Sequence, residues 1–145
     1  MTDEQITFTL HHLVNELDRI ADGILRKQFS MTHSQFQFLL TLRENEQLDV
    51  TNMASALGVS KAAVSKRTPW FVHRGLVAIS HEALGVRRLV LSLTPKGNKL
   101  VLEASEVLNE VFRKQAESLD AVDMDSLHAD LKYMLERIRA YKERS

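Results

Sequence analysis

The sequence contains no cysteine. That excludes a disulfide framework, a thiolate metal site and a thiol redox sensor. No apolar run approaches the roughly 18 residues that cross a bilayer. The opening stretch MTDEQITFTLHHL has no basic patch ahead of an apolar segment, so no signal peptide is expected and a cytoplasmic protein is the default. Internal repeats, low-complexity tracts and long linkers are also missing. No glycine-rich phosphate loop precedes a helix, and no paired acids sit beside a histidine, so an enzyme is not expected. What remains is a chain of 145 residues, 44% hydrophobic, long enough for a real core.

Net charge is also lacking, since 19 basic residues balance 19 acidic ones. Their distribution is uneven. Between Val50 and Lys99 stand eight basic residues (Lys61, Lys66, Arg67, Arg74, Arg87, Arg88, Lys96 and Lys99) and one acid, Glu82, a net of +7. The remainder of the chain carries −7. A basic middle between acidic ends implies a surface that meets phosphates, flanked by segments that do not.

Helix signals dominate the chain. Thr2 to Gln5 and Thr32 to Gln35 each read Thr-x-x-Gln, a capping box. After the first, Ile6, Leu10, Leu13, Leu17, Ile20 and Ile24 recur every three or four residues as one apolar stripe. After the second, Phe36, Leu39 and Leu40 belong to a helix running to about Glu44, and ENEQLD reads as a polar loop. Thr51 is placed to cap a short helix with Met53, Ala54 and Leu57 on its buried side, and Gly58 to end it. Ser60 then caps a further helix that closes at Gly75. From there the period shifts toward 2: LVAISHE and RRLVLSLT form a β-hairpin turning at Gly85.

Proline is scarce, and both copies are informative. Pro95 follows Thr94 at the first position of a long helix, where proline costs nothing. Leu100, Ala104, Val107, Leu108, Val111 and Phe112 form its stripe. A last helix begins near Asp123 and carries Leu127, Leu131, Met134, Leu135 and Ile138. Pro69 falls inside the helix after Ser60, where it removes the N–H that would bond the Ser65 carbonyl. A kink is expected in preference to a break, because a break disturbs the spacing from Val64 to Phe71.

The fold class expected is mainly α with a small β-hairpin: a winged helix-turn-helix over residues 32–94, between helical arms at 1–30 and 95–145. Such a motif sends the start of its second helix into the DNA major groove. Here that start offers Ser60, Lys61, Ala62, Ser65 and Lys66. Alanines permit close approach, serines bond phosphates or base edges, and lysines supply charge. Arg87 and Arg88 on the hairpin are suited to a minor groove or its phosphates. The apolar stripes of the arms exceed what the lobe needs for its own core, and a second copy of the chain is the simplest partner.

The stretches MTHSQFQFLLTL, MASALGVSKAAVSK, RGLV and RRLVLSLTPKG resemble those of the MarR (multiple antibiotic resistance regulator) family of winged-helix transcription factors, over about the whole chain. The resemblance implies a homodimer with its flanking helices as dimerisation helices. It also implies a palindromic operator in double-stranded DNA, repression of nearby genes, and release by a small-molecule effector bound between the dimerisation helices and the lobe. It places Lys61, Ala62, Ser65 and Lys66 where the family's recognition helix meets DNA, and Arg87 on the wing arginine. The chain departs from the pattern at Gly85, where the family often has Asp, and at Pro69.

His11, His12 and Trp70 are candidates for the effector pocket. Their simpler roles are a dimer interface for the histidines and core filler for Trp70. His12 and Glu16 share a helix face but supply only two ligands, so no metal site and no cofactor are expected. Pro69 and the missing wing acid keep a second reading open. It is a dimeric winged-helix protein of weak operator affinity that acts through protein or small-molecule binding.

Overall fold

The computed structural model describes residues 2–83 and 87–144, without the side chains of residues 3, 82, 83 and 87. The Gly85 turn therefore lies outside the described residues. The element order is α1 (Asp3–Phe29), α2 (His33–Asn45), β1 (Gln47–Asp49), α3 (Val50–Leu57), α4 (Lys61–His73), β2 (Val77–Ala83), β3 (Arg87–Leu93), α5 (Pro95–Glu117) and α6 (Met124–Arg144). The mainly helical winged fold read from the sequence is the one observed. The chain divides into two compact units, Met1–Leu108 and Asn109–Ser145.

Both capping boxes form. The Gln5 N–H donates to Thr2 Oγ1 at 3.3 Å while Gln5 Oε1 accepts the Thr2 N–H at 2.8 Å. Thr32 and Gln35 repeat the exchange at 3.1 and 2.9 Å. Ser60 caps α4 through the Ala63 N–H at 3.1 Å, and Thr94 caps α5 through the Gly97 N–H at 3.0 Å. Asp123 caps α6 through the Ser126 N–H at 3.1 Å, a bond that holds its carboxyl below the usual range. Gly58 and Gly75 end α3 and α4 at φ of 68° and 71°, a region that costs other residues strain.

Two local expectations are corrected. The cap of α3 is Asp49, whose Oδ1 accepts the Asn52 N–H at 2.7 Å, so Thr51 is an exposed residue inside the helix. Aspartate caps at least as well as threonine and stands at the position the chain geometry offers. ENEQLD is not all loop either. Gln47–Asp49 form β1, which pairs antiparallel with β3, giving a three-stranded sheet in the order β1-β3-β2. The hairpin register runs from Val77 opposite Leu93 to Ala83 opposite Arg87.

The core of the first unit gathers Leu25 from α1, Phe36, Phe38, Leu39 and Leu42 from α2, and Met53 and Ala54 from α3. Met31 between α1 and α2, Val64 and Phe71 from α4, Leu76 and Val77, Leu91 from β3 and Val101 and Ala104 from α5 complete it. Phe38 and Phe71 stack with ring centroids 4.2 Å apart. Asp22 links α1 to the start of α2: Oδ1 accepts the His33 N–H at 2.8 Å and Oδ2 accepts Arg26 Nε at 2.6 Å. The His33 bond, then Arg26, lower its carboxyl below the usual range, so this link is complete at neutral pH and fails only as pH falls through that depressed value.

Candidate nucleic-acid interface

Helix α4 presents two chemically distinct faces. Val64, Thr68 and Phe71 are buried, whereas Lys61, Ala62, Ser65, Lys66 and Pro69 are exposed. The exposed set recurs at helical spacing, so it forms one row beginning at the capped N-terminus. Lys61 and Lys66 enter no ion pair among the described residues. The buried face fixes that row: Phe71 is clamped on Phe38, so the helix cannot roll without opening the core.

Pro69 neither breaks α4 nor starts a new one. The helix is continuous from Lys61 to His73. Thr68, only 4% exposed, donates its hydroxyl to the Val64 carbonyl at 2.7 Å, which satisfies its buried oxygen beside the proline. The ladder still lacks the bond from residue 69 to Ser65. Pro69→Ala restores it on an exposed face and is expected to stabilise the protein by about 2 kcal/mol, the interior-proline cost less the stiffening of the unfolded chain. Chemical denaturation measures this. DNA affinity should change little, because Ser60 to Lys66 precede the proline.

On the wing, Arg88 lies on β3 with Nη1 3.7 Å from Asp49 Oδ2. Arg87 lies on the same strand opposite Ala83, and its side chain is outside the described residues. Trp70 packs against the core and also borders a cavity. It meets Phe71 edge-on at 4.9 Å and carries the Arg74 guanidinium 3.8 Å above its ring. It also lines a cavity of about 530 Å³ with Thr32, Ser34, Gln35, Ala63, Lys66, Arg67 and Phe71. Arg67 Nη1 reaches Ser34 Oγ at 3.4 Å across this space. His11 and His12 do not line it. Both are exposed on α1, with the His12 ring 4.4 Å from that of Phe8. The cavity beside Trp70 is instead walled by Arg67 and the start of α2, neighbours that only the tertiary contact of α2 with α4 reveals. Among the described residues no three His, Asp or Glu side chains converge as metal ligands.

Comparison with known proteins agrees with this geometry. No family model matches the chain. The HTH-type transcriptional regulator TcaR of Staphylococcus aureus (strain Newman) is 23% identical over 137 residues, covering 91% of this chain and 90% of its own length. AbsC, a MarR family transcriptional regulator from Streptomyces coelicolor, superposes with a TM-score of 0.78 at 21% identity, over 100% of this chain and 98% of its own. The chain has the MarR fold. NadR, solved in complex with 4-hydroxyphenylacetate, superposes on this MarR-like chain with a TM-score of 0.77 at 25% identity, covering 92% of this chain and 91% of NadR. TcaR and AbsC are transcriptional regulators, and their likeness runs through the arms of the MarR fold as well as its winged lobe. No helix among the described residues is long and apolar enough to cross a membrane.

Proposed function

We propose that the protein is a sequence-specific DNA-binding transcriptional regulator that acts as a homodimer, a ligand-responsive repressor of nearby genes. The observation that carries this reading is the exposed row Lys61, Ala62, Ser65 and Lys66 at the capped start of a helix whose opposite face is locked in the core. Small residues beside lysines that enter no ion pair among the described residues suit close approach to a groove walled by phosphates. The lobe at 32–94 delivers that row, and the arms at 1–30 and 95–145 supply the dimer contacts. On α6, Leu127, Leu131, Met134, Leu135 and Ile138 are all exposed, and on α1 so are Ile6, Leu13 and Ile20. Apolar faces of this extent favour burial against a second copy. A two-fold dimer reads two half-sites about one helical turn apart. Gel shift of the dimeric protein on DNA upstream of its own gene tests the proposal, and no shift at low salt refutes it.

The effector reading centres on the Trp70 cavity. Lys66 and Arg67 offer charge to an anion and Trp70 offers a ring face, a combination suited to an aromatic carboxylate such as the ligand seen in NadR. Lys66 belongs both to this cavity and to the groove-facing row, so an occupant competes with DNA. Trp70 is the sole tryptophan and reports binding directly. 4-Hydroxyphenylacetate is expected to change Trp70 emission and to release DNA over the same concentration range. Unchanged emission at millimolar ligand removes this site for that compound.

A further inference from the structure

We propose that Asp49 is a positioning residue for the wing. Its carboxylate holds Arg88, so Arg88 secures the hairpin to the start of α3 instead of reaching DNA. This deepens the DNA-binding reading and rests on it.

The Asp49 carboxylate is shared between two elements. Oδ1 caps α3 through the Asn52 N–H at 2.7 Å, and Oδ2 faces Arg88 Nη1 at 3.7 Å. The cap bond fixes the orientation of the carboxylate, so only Arg88 gives up side-chain freedom when the two pair. The Asp49 side chain is only 16% exposed while that of Arg88 is 63% exposed. An immobile acceptor therefore meets a mobile donor.

The sheet puts the two in reach. β1 pairs with β3 so that Asp49 stands opposite Val90. Arg88 is two residues along β3, on the same face, and is the diagonal neighbour of Asp49. β1 is three residues long and ends at Asp49, so it supports β3 only from Val90 to Ser92. Beyond Val90, toward the turn, β3 has β2 alone for a partner. The Asp49–Arg88 pair extends the support of β3 past the end of β1, at the base of the segment that carries Arg87.

Asp49→Asn isolates the effect, since asparagine caps a helix as well as aspartate but carries no charge. Its thermal stability should match the wild type. Operator affinity should fall about two- to fivefold, the range for an ion pair of this exposure. Arg88→Gln should give the same loss, and the double variant no greater loss than either alone. The slope of log K against log salt should be unchanged in all three. Tighter binding by Asp49→Asn, additive losses, or a slope reduced by about one unit per protomer in Arg88→Gln would each overturn the proposal by placing Arg88 on a phosphate. If the wild type binds no DNA, the regulator reading fails by itself. The latch is then read in the free protein: amide exchange at Arg88 and Leu89 should quicken in both variants, and unchanged exchange overturns it.

Discussion

Replacing Lys61 and Lys66 together with alanine is expected to weaken operator binding by on the order of a thousandfold at physiological salt, with no loss of fold stability. A two-fold dimer loses four cations from its groove-facing rows. At roughly 1 kcal/mol for each contact the sum is about 4 kcal/mol. The salt dependence gives an independent reading. Each phosphate neutralised contributes about 0.9 to the slope of log K against log salt, so the slope should fall by three to four units if all four lysines meet phosphates. Stability should hold or rise slightly, because both side chains are exposed and alanine is the better helix former. Fluorescence anisotropy across a salt series supplies both numbers. A variant that keeps wild-type affinity and slope would remove α4 from the interface.

Gly97→Ala is expected to be the most damaging single-methyl change, costing about 3 kcal/mol, at the upper end for overpacking. A Cβ at position 97 would stand 2.1 Å from the Leu76 carbonyl oxygen and 3.0 Å from its carbon, both backbone atoms. The carbonyl cannot step aside freely, because it accepts the Thr94 N–H at 3.1 Å. The same junction carries Thr94 Oγ1 on the Gly75 carbonyl at 2.6 Å and Lys96 Nζ on the Arg74 carbonyl at 2.9 Å. These bonds dock the exit of α4 onto the start of α5. Opening the junction should lower the melting temperature by about 10 °C for a chain of this size, and it should weaken DNA binding by loosening α4. A melting temperature within about 2 °C of wild type would mean that the junction yields without cost.

Much of this architecture was legible because its signals are local. The capping boxes at Thr2 and Thr32, the caps at Ser60, Thr94 and Asp123, and the stops at Gly58 and Gly75 each reside in four or five consecutive residues whose chemistry has one good use. The exposed row of α4 was legible for the same reason, since helix phase alone separates Lys61, Ala62, Ser65 and Lys66 from Val64 and Phe71.

What was hidden depends on contacts between distant residues. β1 is three residues long and exists only because β3 pairs with it, so no period could announce it. The α3 cap was read at Thr51, whereas β1 runs up to Asp49 and the helix starts directly after it, so Asp49 is the cap. The partner of Arg88 and the packing reason for Gly97 lie across the fold, respectively 39 and 21 residues away in sequence. Trp70 divided the sequence reading between core filler and effector pocket, and the fold packs it against the core beside a cavity.

The most direct measurement is the affinity of the dimeric protein for its own upstream DNA relative to scrambled DNA of equal length, at physiological salt. Sequence-specific recognition by two α4 rows is expected to give a ratio of about 10³ or more. Equal affinity for the two fragments would contradict it and leave only a basic surface that holds any duplex.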